Sequence, residues 1–163
     1  YCMITLYHGS NVAIEDIDLS RSHRCKDFGC GFYLNGNREQ AWHMAVRTTA
    51  RMECGEPTVT TFSFDERNLT DNADIKVLTF EDYTVEWAEF VLANRRYKGE
   101  GNVGGYDIVV GPIADDTVGV QLYRFTRGFI SIEQMIDELR VRGNRAVQYY
   151  FGTPRAIALL THV

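Results

Sequence analysis

The residues with most chemistry to offer stand in two short stretches, Leu6-Tyr7-His8-Gly9-Ser10 and Asp27-Phe28-Gly29-Cys30-Gly31-Phe32-Tyr33-Leu34. In the first, an apolar run ends on an imidazole, a glycine and a hydroxyl, the pattern of a strand that delivers polar groups to its end. Gly9 has no Cβ, so its peptide N–H and C=O can approach a flat ligand, and His8 adds a ring donor or acceptor beside it. The pair suits an amide and a hydroxyl. In the second stretch, Gly29 and Gly31 bracket Cys30, as expected where a backbone turns sharply into a strand or passes close to a ligand. Tyr33 then opens a strand, where its ring face can stack on a planar group. On spacing alone, His-Gly-Ser also fits a plain turn. Gly-x-Gly here precedes a strand instead of opening a helix after one, so it is not the dinucleotide fingerprint.

The elements that must position these residues follow from the same sequence. Residues 11–26 are polar with poor periodicity and read as a loop with one short helix around 14–18; His23 and Arg24 lie in it, next to the proposed pocket. Asn37 and Gln40 have capping-box spacing, which predicts a helix to about Met52 with Ala41, Met44, Ala45 and Thr48 on one face. Strands follow over 58–64 and 77–80, then a helix over 83–96 with Trp87, Phe90, Val91 and Asn94 on one side. Glu86 and Glu89 on that helix are explained by a solvated face. A glycine-rich loop leads to a strand over 106–111, which ends at the adjacent carboxylates Asp115 and Asp116. These could hold a metal or an arginine, but an N-cap for the next helix is the simpler account. Ser131 and Gln134 repeat the capping-box spacing before a stripe of Ile132, Met135, Ile136 and Leu139. Residues 145–151 read as a strand, and Thr153-Pro154 starts a last helix.

At 163 residues the chain fits a single domain over 1–163 that can bury a full core. No apolar run approaches the roughly 20 residues a bilayer span needs, and no basic-then-apolar leader opens the sequence. The expectation is a cytoplasmic protein with no membrane partner. Tyr1 in place of an initiator Met leaves open whether the front is trimmed. Cys2, Cys25, Cys30 and Cys54 show no zinc spacing, so no metal is expected and reduced thiols are favoured. The net charge of −5 argues against broad attraction to nucleic acid. Locally, Arg124, Arg127, Arg140, Arg142, Arg145 and Arg155 crowd the C-terminal end, where they could face a pyrophosphate or simply form a solvated face.

The two opening motifs, in this order, resemble the ADP-ribosyltransferase superfamily in its His-Tyr-Glu branch, the poly-ADP-ribose polymerase and diphtheria-toxin type. Over nearly its whole length the chain is also similar to a family of small bacterial proteins catalogued as a domain of unknown function. They share the Leu-Tyr-His-Gly-Ser opening, the Asp-Phe-Gly-x-Gly-Phe-Tyr-Leu block, a Gly-x-x-x-Asp-Asp block and a terminal Gln-x-x-Phe-x-Thr. The resemblance implies an α+β domain with an ADP-ribosyltransferase-like split sheet and NAD as substrate. It implies that His8 bonds a ribose hydroxyl, that Gly9 clamps the nicotinamide amide with Ser10 supporting the turn, and that Tyr33 stacks on the nicotinamide. Gly31 borders the pocket, and Trp42 falls near a second stacking aromatic; packing in the core is the alternative for it. The family's catalytic Glu aligns best with Gln148. A glutamine orients a hydroxyl but carries no charge to oppose the oxocarbenium-like transition state. The implied activity is mono-ADP-ribosyl transfer to a protein or nucleic-acid acceptor. Alternatives are recruitment of Glu86, Asp107 or Asp116 as the acid, a reaction like RNA 2′-phosphotransfer, or a non-catalytic nucleotide- or partner-binding module. The acceptor and the oligomeric state are not set by the sequence.

Overall fold

The computed structural model describes residues 2–21, 27–113, 116–143 and 146–163, with Asp116 and Thr117 described by their backbone alone. His23, Arg24, Cys25, Asp115 and Arg145, and the Asp116 side chain, lie outside the described residues, so the expectations placed on them are not taken further.

Alternating apolar residues build a mixed α/β fold around one sheet. Its strands are β1 (Met3–Ser10), β2 (Phe32–Asn35), β3 (Thr58–Asp65), β4 (Val77–Thr79), β5 (Ile108–Pro112), β6 (Val147–Phe151) and β7 (Thr161–His162), in the order β4-β5-β6-β2-β1-β3-β7. β4 and β5 run parallel and the other neighbours antiparallel. Successive side chains on a strand leave on opposite faces. One face gathers Leu6, Phe32, Leu34, Phe62, Phe64, Ile108, Val110 and Phe151, and the other carries Val109 and Tyr150 against helical residues. Strands covered on both sides read as continuous apolar runs, as Ile108-Val109-Val110 does.

The helices are α1 (Arg38–Met52), α2 (Val85–Arg96), α3 (Asp116–Thr126), α4 (Ile132–Arg142) and α5 (Pro154–Ile157). Their starts follow the expected chemistry. Asn37 Oδ1 accepts from the Glu39 and Gln40 N–H groups. Ser131 and Gln134 exchange both bonds of a capping box, and the Thr153 hydroxyl caps α5 ahead of Pro154. Trp87 and Val91 of α2 and Met135, Ile136 and Leu139 of α4 turn inward and bury the second face of the sheet. No helix among the described residues is long and apolar enough to cross a membrane.

Three expectations change. The opening strand continues through His8, Gly9 and Ser10, because β3 pairs with it out to Ser10–Thr58. The helix expected around 14–18 is absent: the Ile14 N–H donates to Thr60 Oγ1, and Ile14, Ile17 and Leu19 are drawn onto the sheet. A single 3-10 turn at Leu19–Arg21 remains. The two-residue strand β7 lay beyond any periodicity argument.

Asp107 fastens the far edge of the sheet. It is 2 % exposed, and its carboxylate accepts from the Lys76 N–H at 2.8 Å, the Thr153 hydroxyl at 2.6 Å and Arg155 Nε–H at 3.0 Å. Burial pushes its pKa up, but these bonds and the Arg155 charge outweigh that and hold it below the usual carboxylate value. A folded pKa below the unfolded one gives stability that is present above the unfolded value and lost as pH falls through the folded one. Asp107→Ala should therefore cost about 2–3 kcal/mol in urea unfolding at pH 7, since it strands buried donors. The difference from wild type should shrink below about pH 4; a difference independent of pH would show that the ionised carboxylate is not the anchor.

Candidate functional site

Three strands far apart in sequence become neighbours and carry the site. Tyr7 of β1 pairs with Asn35 of β2, Asn35 with Gln148 of β6, and Gln148 with Gly111 of β5. Directly paired residues project to the same face, so Tyr7, Asn35 and Gln148 form one polar row. At Gly111 the row meets an apolar wall: a Cβ there would lie 3.2 Å from both the Phe28 ring and Phe80 Cβ. Two residues along from Asn35 and Gln148, Tyr33 and Tyr150 occupy the same face and meet edge-on at 5.3 Å.

Both tyrosine hydroxyls hold the 28–31 turn. Tyr33 donates to the Gly29 carbonyl at 2.5 Å and accepts from the Phe28 N–H at 3.1 Å, and Tyr150 donates to the Cys30 carbonyl at 2.9 Å. Burial raises Tyr33 well above its ordinary pKa and pushes Tyr150 up to about 12, so both stay protonated at neutral pH. From the other side, the Cys30 N–H donates to the Gly101 carbonyl at 2.9 Å. The buried Asn94 side chain ties the Asp27 carbonyl to the Val103 N–H. This explains the two glycines. Gly29 has φ 108° and lies against Gly101 and Asn102, and a Cβ on Gly31 would strike the Tyr150 ring. What approaches these glycines closely is the protein itself.

Cys30 is disulfide-bonded, which overturns the expectation of reduced thiols there; Cys2 and Cys54 are free. Chain size says only that a disulfide is not needed, not that none forms.

His8 reaches the site from the opposite face. The register between β1 and β2 is the single pair Tyr7–Asn35, and beyond it the His8 ring reaches across to the β2 main chain. His8 Nδ1 lies 2.7 Å from the Tyr33 carbonyl. A carbonyl only accepts, so Nδ1 carries the proton, and in the neutral ring Nε2 is the acceptor. The ring stacks on Phe32 at 4.2 Å. Gly9 lies directly under α1, where a Cβ would collide with the Ala41 carbonyl. The Ser10 hydroxyl donates to Asn11 Oδ1. Trp42 is 42 % exposed on α1, outside the core.

Gln148 is 9 % exposed, and among the described residues its amide has no hydrogen-bond partner. The acids considered as substitutes are placed elsewhere: Glu86 is exposed on α2, and the Asp107 carboxylate is engaged at the other end of β5. The described arginines of the C-terminal end do not converge either. Arg140 pairs with Asp82, Arg142 with Glu138 and Arg155 with Asp107, while Arg124 bonds Gln121 and Arg127 lies over Tyr123. Sequence reasoning missed Asn35 and Tyr7. The period-two alternation that puts Asn35 on the face of Tyr33 was the signal available for the first.

Fold and site together define a mixed α/β protein with a neutral polar row running across β1, β2 and β6, where β1 and β2 pair at Tyr7–Asn35. Over residues 4–162 the chain matches the family described as protein of unknown function (DUF3990) and belongs to it. Neither the curated proteins nor the solved structures gave a match.

The seating of α1 on Gly9 can be checked directly. Gly9→Ala should lower stability by about 3 kcal/mol, because backbone and not a flexible side chain blocks the added methyl. A urea midpoint equal to wild type would show that α1 does not rest on β1 there.

Proposed function

We propose that the protein binds NAD across the split between β1 and β2 and transfers its ADP-ribose to a protein or nucleic-acid acceptor. The observation that carries this reading is the meeting of residues 8, 33 and 148 on three adjacent strands, with His8 bonded to the Tyr33 main chain. The ADP-ribosyltransferase-like motifs at these positions are otherwise separated by most of the chain. In this reading His8 Nε2 accepts from a ribose hydroxyl, and the Gly9 backbone, supported by Ser10, meets the nicotinamide amide. Tyr33 offers its ring to the nicotinamide, Gly31 lets the pocket wall pass close, and Trp42 stands at the rim. The glycosidic C–N bond breaks with its electron pair leaving on nicotinamide. An acceptor lone pair then forms the new bond to the same carbon, and the acceptor's proton passes to solvent.

Gln148 sets the rate. Its amide orients a ribose hydroxyl, but its dipole opposes the developing positive charge far less than a carboxylate would. The uncharged amide also favours a second reading, in which NAD is held without transfer.

Nicotinamide release and calorimetric NAD binding should be followed together on wild type, His8→Ala, Gln148→Ala and Gln148→Glu. Transfer predicts slow release that both alanine variants abolish and that Gln148→Glu raises about 100-fold. Binding without release in wild type would select the second reading, and absence of binding would reject NAD altogether.

A further inference from the structure

Buried side-chain amides are almost always hydrogen-bonded, and in the row across β1, β2 and β6 the Asn35 amide uses only its oxygen and the Gln148 amide neither end. Asn35 is 6 % exposed and Gln148 9 %. Asn35 Oδ1 accepts from the Asn37 N–H at 2.8 Å, which fixes the orientation of the amide and turns Nδ2 away from the start of α1. Among the described residues neither Asn35 Nδ2 nor the Gln148 amide has a partner, and the same is true of the half-buried Tyr7 hydroxyl. The one side-chain polar atom among the described residues that is sealed from solvent without a partner is Trp87 Nε1. The row's unpartnered amide atoms therefore keep some contact with solvent.

We infer that Tyr7, Asn35 and Gln148 form a sugar-binding row that holds the hydroxyls of a ribose, with Asn35 as a specificity-determining residue. The inference rests on the NAD reading for the identity of the sugar: where Gln148 faces the ribose, Asn35, paired directly with it about 5 Å away, faces the same ring. The chemistry of the row agrees. A phosphate would need a cation, and the row has none. An apolar ligand would leave two buried amides unsatisfied. A diol both donates and accepts, and it meets here a fixed N–H donor on Asn35, an amide of both kinds on Gln148 and a phenol on Tyr7. The rings of Phe28 and Phe80 close the end of the row at Gly111, which limits the ligand part to a compact group.

The test measures affinity for ADP-ribose and for its analogue lacking the 2-hydroxyl of the terminal ribose. Wild type should prefer ADP-ribose about tenfold, the value of one well-made bond. Asn35→Ala should narrow that preference to about twofold. A purely structural role would weaken both ligands alike and leave the ratio unchanged. Tyr7→Phe, which leaves the bond from the Asn37 N–H to Asn35 intact, should narrow the ratio too and carries the comparison if Asn35→Ala does not fold. An unchanged ratio in a folded variant overturns the inference while leaving NAD binding untouched. A ratio that responds, in a protein that neither binds NAD nor releases nicotinamide, keeps the sugar row and rejects transfer. Failure of wild type to bind either compound overturns both.

Discussion

The insertion of β6 between β2 and β5 is the constraint on which the rest of the structure depends. The strand comes late in the chain, yet it pairs with β2 from Phe32–Phe151 to Asn35–Gln148 and with β5 from Ile108–Phe151 to Pro112–Val147. The bonds continue past the strand ends, from the Gly36 N–H to the Val147 carbonyl, the Ile113 N–H to the Ala146 carbonyl and the Gly152 N–H to the Asp107 carbonyl. Because side chains alternate, a slip of one residue would send Gln148 to the other face and bring Tyr149 beside Asn35. Phe151 and Tyr150 hold the register from opposite sides, since each is fully buried in a different core cluster. The position of one uncharged amide is thus fixed by the packing of two aromatic rings two and three residues along the strand.

The same strand organises the turn that precedes β2. Tyr150 reaches the Cys30 carbonyl, and Tyr33, its edge-on neighbour, holds Gly29 and Phe28. Behind the turn, Asn94 joins it to the glycine-rich loop, and Arg95 pairs with Asp27 at 2.8 Å. Fully paired buried polar groups of this kind rigidify a core and specify one arrangement. The Asn35 Nδ2 and the Gln148 amide stand beside this satisfied network without partners, so that lack is local to the row and not a sign of loose packing.

What the sequence revealed of the fold was what local chemistry decides. Asn37, Ser131 with Gln134, and Thr153 with Pro154 cap helices through bonds spanning a few residues, and the helix starts were legible for that reason. The apolar stripes of α2 and α4 were legible as well. The course of 11–21 was not, because Ile14 answers to Thr60 on β3, a partner 46 positions away. The candidate site was legible as a set of motif residues but not as an arrangement. His8, Tyr33 and Gln148 stood out by type. That His8 approaches from the face opposite Tyr33, and that Gly9, Gly29 and Gly31 accommodate a helix, a loop and a ring, follows only from long-range pairing. Asn35 and Tyr7 are ordinary residues in the sequence and gain interest only from the register that lines them up with Gln148.

The electrostatics of the molecule separate two tasks. Charged side chains near the core are paired off the row, Asp107 with Arg155 and Asp27 with Arg95, where they fix strand and loop ends. The row contains amides and a phenol, and burial moves the tyrosines behind it still further from ionisation. Neutral groups recognise hydroxyls and amides well, because each bond is made in surroundings of low dielectric and an unmatched ligand leaves the row unsatisfied. They stabilise a developing cation poorly, because fixed dipoles oppose full charge less than a carboxylate does. A neutral row is in general better suited to discriminating between hydroxyl-bearing groups than to stabilising charge. Position 148 is therefore where an added charge would alter the row most, since Tyr7 and Asn35 beside it are neutral and the Asp107 and Asp27 carboxylates are already paired elsewhere.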